Sequence, residues 1–355
     1  MCQMRAADHP DLLIIGPQEH GVVQYAHELA AAAQAQGLAG AVHASRTVES
    51  AAFLPPAARV HLHVTDRLFG STPEEAADNL ERLASATSLS ITLHDLPQES
   101  DGAGYSRRAS AYARFVGAAQ AVAVNSEHEA RLLAEHVDPS FDRVAVIPLG
   151  ARMATPQRAD PPATSGLGAQ RPLTALIAGY IYPGKGHGEV IDAVADARDR
   201  LQVAGENPGP GVVVAIGGPS LGHEADVDAL RARADALGVH FEATGYLDGP
   251  SYRSATVADG IPVAAHQHLS ASRSMLDWIE QGRRPLVPMS RYAAEMAALR
   301  PGTMALYDPA RLSTHLMDAW RQPGSTRLPV GTALGPTMDD VASAYGSWWA
   351  GLAAR

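Results

Sequence analysis

Short apolar runs alternate with helical patterns along the first half of the chain. The first run, DLLIIG at 11–16, is apolar almost throughout and ends in glycine, which is typical of a buried parallel strand. The segment GVVQYAHELAAAAQAQG follows, with its apolar residues at helical spacing and a glycine at its end. The strand pattern returns at 59–65, 89–95, 119–126 and 143–150, with helical segments between. This alternation predicts a doubly wound parallel sheet.

A stretch without periodicity divides the chain. Residues 155–172, TPQRADPPATSGLGAQRP, are rich in Pro, Gly, Ser and Ala and predict a linker. The alternation then resumes from LTALIAGY to RRPLVPM, and the end of the chain has the pattern of a helix. The sequence therefore predicts an α/β protein with two Rossmann-like domains, 1–154 and 173–334, followed by a terminal helix in 335–355. Such a pair of sheets would bind a ligand in the cleft between them, at the carboxyl ends of the strands.

Composition narrows the class of protein. The chain has 355 residues, of which 46% are hydrophobic, and no apolar run approaches the ~20 residues that cross a bilayer. The N-terminus MCQMRAADHPD lacks the apolar core of a signal peptide, because charge and proline interrupt it. Cys2 is the only cysteine, which excludes an intramolecular disulfide and a cysteine-rich zinc site. We therefore expect a cytoplasmic protein.

The charge balance argues against nucleic acid as a partner. The formal net charge is -10, whereas binding to phosphate backbones needs a basic face. Arg107, Arg108 and Arg114 form a local basic cluster, which is more typical of a solvated helix face than of a binding surface. A peripheral contact with an anionic surface such as a membrane stays open as the alternative.

Lys185 is the only lysine among the 28 lysines and arginines, and it lies in the glycine-rich stretch GYIYPGKGHGEVI. The glycines around it let the backbone approach a ligand closely, and a helix is predicted to begin near Glu189. An ammonium, glycines and a helix N-terminus together favour a site for phosphate oxygens. The stretch is not a P-loop, since His187 stands where that motif needs a hydroxyl. A purely structural turn is the alternative interpretation.

The order of several motifs resembles one known family. A glycine-bearing turn after the first strand (HGVVQYAHELA) is followed by a strand ending in His-Asp (SITLHDLP), then NSEHEARLL and IPLG. The second half contributes GYIYPGKG, TGYL at 244–247, and SASRSMLDWIEQGRRPLVP. In this order the chain is similar to the retaining GT-B glycosyltransferases of family 4. The resemblance covers almost the whole chain, and it implies two domains that face each other across a cleft and a terminal helix that crosses back to the first domain.

The resemblance also implies roles for individual residues. Lys185 would stabilise the charge that develops on the leaving diphosphate, without a metal or a resident cofactor. His94 would face the transferred sugar, although a histidine bonded to the backbone at a strand end is the alternative. Asp277 would accept hydrogen bonds from the ribose. The full set implied to bind the donor is Gly21, Gly179, Gly184, Gly186, Tyr246, Ser270, Ser272, Arg273, Ser274 and Asp277.

Two positions depart from the pattern of the family. Tyr180 stands where members usually carry an arginine, so a phosphate cation is missing, and we expect Arg273 to replace it. Because Glu280 lies too far along the helix to be an i+4 partner, Asp277 is the expected mate of Arg273. Leu269 replaces the first glutamate of the Glu-x7-Glu motif, and the nearby His268 or Gln267 are candidates for its role.

Other features have less weight. His61 and His63 share one face of a strand with Asp66 nearby; a metal site is possible in principle, but buried histidines are commoner. Trp348 and Trp349 are expected to pack the terminal helix onto the first domain.

The leading hypothesis is a metal-independent retaining glycosyltransferase, most simply a hexosyltransferase, that uses a UDP- or GDP-sugar and an acceptor the sequence does not identify. The alternatives are a catalytically impaired binding protein for nucleotide sugars, or an epimerase or phosphorylase on the same fold. A phosphorylase would need a second lysine for its cofactor, and the sequence has none.

Overall fold

The computed structural model describes residues 9–48, 58–140, 144–157, 171–267 and 271–354. The chain divides into two compact units, one of Met1–Arg152 with Gly335–Arg355 and the other of Met153–Leu334. Each unit contains a six-stranded parallel sheet with helices. Most of the predicted linker, 158–170, lies outside the described residues.

The sheet of the first unit has the strand order β2-β1-β3-β4-β5-β6. Its central strands are almost fully buried, as parallel strands between two layers of helices must be, although β3 and β4 also carry buried polar side chains. The strands are β1 (Asp11–Ile15), β2 (Val42–Ser45), β3 (Arg59–Val64), β4 (Ser88–Leu93), β5 (Ala121–Val124) and β6 (Val144–Val146). The order reverses direction between β1 and β3, which is the topological switch point of this sheet.

Several helices of the first unit begin at polar side chains that accept a hydrogen bond from a backbone N–H of the first turn. Thr72 accepts a hydrogen bond from the Glu75 N–H, and Ser126 accepts one from the Glu129 N–H. The helices are α1 (Gly21–Ala35), α2 (Asp66–Phe69), α3 (Pro73–Ala86), α4 (Tyr105–Ala118) and α5 (Glu127–His136). The last helix of the chain, α12 (Met338–Ala353), also belongs to this unit.

Helix α12 packs against α1 and against the sheet of the first unit, as expected. Tyr345 and Trp349 are fully buried, and their rings lie 5.3 and 5.1 Å from the ring of His61 on β3. The Tyr345 hydroxyl lies 2.8 Å from the Thr92 hydroxyl on β4. The aromatic residues near the end of the chain therefore form part of the core of this unit.

The sheet of the second unit has the order β12-β11-β10-β7-β8-β9, in which the first strand of the unit is central. The strands are β7 (Leu173–Ala178), β8 (Gly211–Ile216), β9 (Val239–Ala243), β10 (Ile261–Val263), β11 (Leu286–Pro288) and β12 (Ala305–Tyr307). This is the strand order typical of dinucleotide-binding folds, with its switch point between β7 and β10. Ligands of such sheets bind beyond the carboxyl ends of the strands at that point.

Helices cover both faces of the second sheet. They are α6 (His187–Val203), α7 (Glu224–Ala236), α8 (Gly249–Val257), α9 (Arg273–Glu280), α10 (Arg291–Leu299) and α11 (Leu312–Arg321). Val190 and Val194 of α6 are fully buried in one core with Val213 of β8. Helix α6 begins two residues earlier than Glu189, because Gly186 in a left-handed conformation starts it. Among the described helices, none is both long and apolar enough to span a bilayer.

Candidate active site

The turn between β7 and α6 brings Lys185 to the switch point of the second sheet. Its backbone depends on glycine at both ends, since Gly179 has φ +105° and Gly186 has φ +91°, values that other residues rarely adopt. A Cβ atom on Gly186 would overlap the carbonyl of Ala265, which follows β10. A Cβ atom on Gly179 would lie 2.9 Å from the Lys185 Nζ. The glycines therefore let the turn lie directly against its neighbours.

The amine of Lys185 is buried and held by side chains from the second half of this unit. The residue is 4% exposed, its Nζ lies 2.7 Å from the Nε2 of His266, and it donates to the Ser274 hydroxyl at 3.4 Å. Burial lowers the pKa of Lys185 to about 7, and the negative charge of Asp277 opposes that shift only in part. An anion that entered this site would favour the charged amine.

Two helix N-termini lie beside the amine. Helix α6 begins directly after Gly186, and no side chain caps it. Helix α9 is capped by Ser272, which accepts a hydrogen bond from the Met275 N–H at 3.3 Å, and the Ser272 hydroxyl lies 3.1 Å from that of Ser274. Helix N-termini carry partial positive charge and free N–H groups, which favour anions.

The structure confirms the expected partner of Arg273, Asp277, and adds a second, Glu280. Its Nη2 donates to both carboxylate oxygens of Glu280, at 2.8 and 2.7 Å, while its Nε lies 3.3 Å from Asp277. Glu280 is not an i+4 partner, as expected, but the long arginine side chain spans two helical turns and reaches it at i+7. Glu280 is 1% exposed, and a buried carboxylate needs a cation. The charge of Arg273 is therefore already matched within α9.

The remaining residues of the predicted donor site lie in varied surroundings. Asp277 accepts a hydrogen bond from the Tyr252 hydroxyl at 3.2 Å. Tyr246, on the turn after β9, is 67% exposed, and Tyr180 is 42% exposed. Gly184 has φ +87° and its carbonyl accepts a hydrogen bond from the Gln267 N–H. The predictions for Ser270, Leu269 and His268 fall outside the described residues.

His94 lies in the first unit, directly after β4, and is buried. Its Nε2 lies 2.8 Å from the Nδ1 of His63, and the Asn125 side-chain amide lies 3.3 Å from its Nδ1. Side chains rather than the backbone thus engage its ring. Burial lowers the pKa of His94 to about 3, so the ring is neutral near pH 7. Gly21 is the first residue of α1, which His20 caps through a hydrogen bond from the Val22 N–H.

His61 belongs to the same buried network. Its Nδ1 lies 3.1 Å from the Ser90 hydroxyl and its Nε2 lies 3.2 Å from the Thr92 hydroxyl. Burial lowers the pKa of His61 to about 3. Within the part of the chain that the structure describes, no group of three or more His, Cys, Asp or Glu side chains is arranged to hold a metal ion. The histidines of β3 act here as neutral polar links in the core.

The basic cluster on α4 is paired with carboxylates. Arg107 binds Glu74, and Arg114 binds Asp78 and Glu81. Arg108 forms ion pairs with three aspartates, Asp66, Asp95 and Asp101. Arg107 is exposed and Arg114 partly so, as expected for a solvated helix face, whereas Arg108 is largely buried, and all three charges are matched within the protein.

Sequence reasoning missed the two closest partners of the predicted catalytic residues. His266 follows β10 and contacts Lys185, while His63 at the end of β3 contacts His94. The available signal was the position of each residue relative to the strands. His266 follows β10, which lies beside β7, and His63 ends β3, which lies beside β4. The order of the strands in each sheet brings these pairs together, and the alternation of strands and helices along the chain does not specify that order.

No family model matches the chain, and no curated protein does, whereas many solved structures are similar to it. The structure of Anabaena Alr3699/HepE in complex with UDP and glucose has a TM-score of 0.64 and 13% identity, covering 98% of each chain. Sucrose-phosphate synthase from Thermosynechococcus elongatus has a TM-score of 0.62 and 14% identity, covering 98% of this chain and 97% of that one. OtsA has a TM-score of 0.54 and 10% identity, over 94% and 77%. At these identities the likeness shows the fold, and it confirms the predicted GT-B class.

Proposed function

We propose that the chain is a glycosyltransferase that takes a sugar from a nucleotide diphosphate sugar. The observation that carries the proposal is the position of Lys185. The only lysine of the chain is buried at the switch point of a nucleotide-binding type of sheet, between the N-termini of α6 and α9. The fold it shares with HepE, whose structures include complexes with UDP and with UDP-glucose, supports the same assignment.

In the proposed reaction, the bond between the anomeric carbon and the diphosphate oxygen breaks, and a new bond forms to an acceptor oxygen. Negative charge grows on the leaving diphosphate as the bond breaks. The charged form of Lys185, the Ser274 hydroxyl beside it and the N–H groups of both helix N-termini would stabilise that charge. The acceptor's proton passes to the departing diphosphate. Since these groups supply positive charge, the proposal needs no metal.

We further propose retention of the anomeric configuration and a UDP- or GDP-sugar as donor, both on the family resemblance. We also keep His94 as the residue proposed to face the sugar, and its ring would be neutral there, because burial keeps its pKa near 3. Asp277, already bonded to Tyr252, remains the proposed ribose ligand. The acceptor is unassigned.

The proposal is tested by ligand binding and then by turnover. Thermal shifts against UDP, GDP, ADP and their glucose and mannose conjugates should show stabilisation by one nucleotide series, because a ligand that binds only the folded state raises the Tm. Hydrolysis or transfer of the bound donor, followed by NMR of the anomeric proton, then gives the activity and the stereochemistry.

Lys185→Ala is the decisive variant. Loss of one charge contact to a developing anion costs on the order of 3 kcal/mol, so kcat should fall about a hundredfold while the protein stays folded. The matched control is Arg231→Ala, which removes an exposed cation from α7 in the same unit and should leave kcat unchanged. Turnover in Lys185→Ala equal to that of the wild type would exclude this role.

A binding protein for nucleotide sugars is the second candidate, and one observation favours it. The cation expected to replace the missing arginine at position 180, Arg273, is matched by Glu280 and Asp277. Such a protein would show the thermal shift with no turnover of the donor in any acceptor mixture. An epimerase would instead release an altered sugar without an acceptor.

A further inference from the structure

Among the residues that the structure describes, His266 is the close titratable partner of Lys185. The two side chains leave adjacent parallel strands, since Lys185 follows β7 and His266 follows β10. Nζ and Nε2 are 2.7 Å apart, and the residues are 4% and 7% exposed. A contact this short and this buried fixes the position of the amine.

The imidazole acts as the acceptor in this contact. Burial and the neighbouring positive charge of Lys185 hold the pKa of His266 well below its usual range, so its ring is neutral. A neutral imidazole accepts a hydrogen bond at one nitrogen only, and here Nε2 faces the amine. His266 therefore holds Lys185 without supplying a negative charge to it.

Of the other described groups that face the amine, Asp277 is the one that supplies a negative charge. On the turn and helix of Lys185 itself, the facing groups are the Tyr182 ring, centred 6.0 Å away, and His187, whose pKa burial and Lys185 lower to about 3. On α9, Asp277 favours the charged amine, but this carboxylate also pairs with Arg273. A buried amine in such surroundings exchanges its proton with solvent near neutral pH.

We propose that His266 is a positioning residue for Lys185, and that this pair makes the capture of a diphosphate a proton-coupled step. In the ligand-free protein the amine is held by the His266 Nε2; when a diphosphate arrives, the amine takes a proton from solvent and becomes the cation that the diphosphate needs. The second half of this inference rests on the proposed function, because it takes the diphosphate as the anion. The first half does not.

The first test uses the unique lysine. Protein labelled with 13C at lysine Cε gives one lysine signal, whose shift against pH reports the ionisation of Lys185 directly. We expect a midpoint near 7 in the ligand-free wild type. In His266→Phe, which removes the acceptor, the midpoint should fall by about one unit or more, since a hydrogen bond to the charged form favours that form. In His266→Gln, which keeps an acceptor near the same place, it should stay within about half a unit.

The second test adds UDP-glucose, whose diphosphate has no group that titrates near neutrality. Saturation should move the lysine midpoint above the wild-type value, and calorimetry in buffers of different ionisation enthalpy should detect about half a proton taken up per site at pH 7. Affinity should fall on the order of tenfold or more from pH 7 to pH 9. In His266→Phe the affinity at pH 7 should be at least about fivefold lower than in the wild type and should be recovered at lower pH, whereas damage to the fold would weaken binding at every pH.

The results separate the two halves of the proposal. A midpoint unchanged in His266→Phe would overturn the role of His266 whatever the protein binds, and a wild-type midpoint above 9 would overturn the coupling. If UDP-glucose binds without proton uptake, the coupling is wrong while the proposed function stands. If the lysine titrates as expected but UDP-glucose and the other donors fail to bind, the positioning role stands, and the proposed function fails together with the coupling.

Discussion

Replacement of Lys185 by methionine should stabilise the protein while it removes function. Methionine has nearly the length of lysine and no charge, so it fills the same buried space between the glycine turn and α9. The wild type must keep an amine in that place, where it is 4% exposed. Functional sites often contain destabilising groups such as this buried amine, and replacing such a group raises the free energy of unfolding.

The magnitude follows from the pKa of the amine. Burial lowers it from 10.5 to about 7, and each unit corresponds to about 1.4 kcal/mol, which sets an upper limit of about 5 kcal/mol at pH 7 and below. The substitution also removes the hydrogen bonds to His266 and Ser274, at about 1 kcal/mol each. We therefore expect the free energy of unfolding to rise by about 2 kcal/mol at pH 7.

The pH dependence has a definite sign. Because the pKa of Lys185 is lower in the folded protein than in the unfolded chain, the unfolded chain binds more protons between pH 7 and 10.5. This group therefore makes the wild type more stable as the pH rises through that window. The advantage of the methionine variant should be full below pH 7 and should shrink steadily above it.

Urea unfolding at pH 6.5, 7, 8 and 9 in a buffer without phosphate measures this difference, with Arg231→Met as the surface control in the same unit. The control should differ from the wild type by less than about 0.5 kcal/mol at every pH. A methionine variant that is less stable than the wild type at pH 7, or an advantage that does not change between pH 7 and pH 9, would refute the idea of a costly buried amine.

Three further outcomes are expected. Gly186→Ala should destabilise the protein by at least about 2 kcal/mol, through backbone strain and overlap with a neighbouring carbonyl. Gly188→Ala, at an ordinary helical position with space around it, should be neutral or stabilising. Thermal unfolding of the two variants makes the comparison. Arg273→Ala should cost about 3 kcal/mol in urea unfolding, because it leaves the buried Glu280 without its cation, and a second change of Glu280 to leucine should recover most of that loss. Tyr345→Phe should cost about 1 kcal/mol by loss of its hydrogen bond to β4, and an unchanged Tm would contradict the role assigned to that hydroxyl.

The sequence predicted the class of fold because long apolar strands and amphipathic helices have distinct periods. It missed β2 and β12 for a physical reason. β2 reads VHAS and is only partly buried, and β12 has three residues, so neither gives an apolar run that stands out from a loop. Edge strands contribute little to the core and therefore have weak patterns.

For the candidate site, the sequence identifies residues that are unusual within their own segment. It does not identify residues whose role depends on a contact with a distant segment. Lys185 was found because it is the only lysine and stands among glycines. His266 lies 81 positions away, and its contact depends on the pairing of β7 with β10. His63 contacts His94 for the same kind of reason, through the pairing of β3 with β4. A pattern within one segment carries no information about which strand lies beside it.

Arg273 shows how burial changes the meaning of a motif. On sequence alone its charge was assigned to the diphosphate, because the serine-rich segment before α9 resembles a phosphate-binding one. Glu280, however, lies on the buried face of α9. Leaving its buried carboxylate without a cation would cost more free energy than a contact between Arg273 and a solvent-exposed ligand would gain. Folding therefore fixes this arginine before any ligand arrives. In the mechanism that we propose, the positive charge that meets the diphosphate comes from Lys185 and the two helix N-termini, and the lysine gains its full charge only when that anion is present to stabilise it.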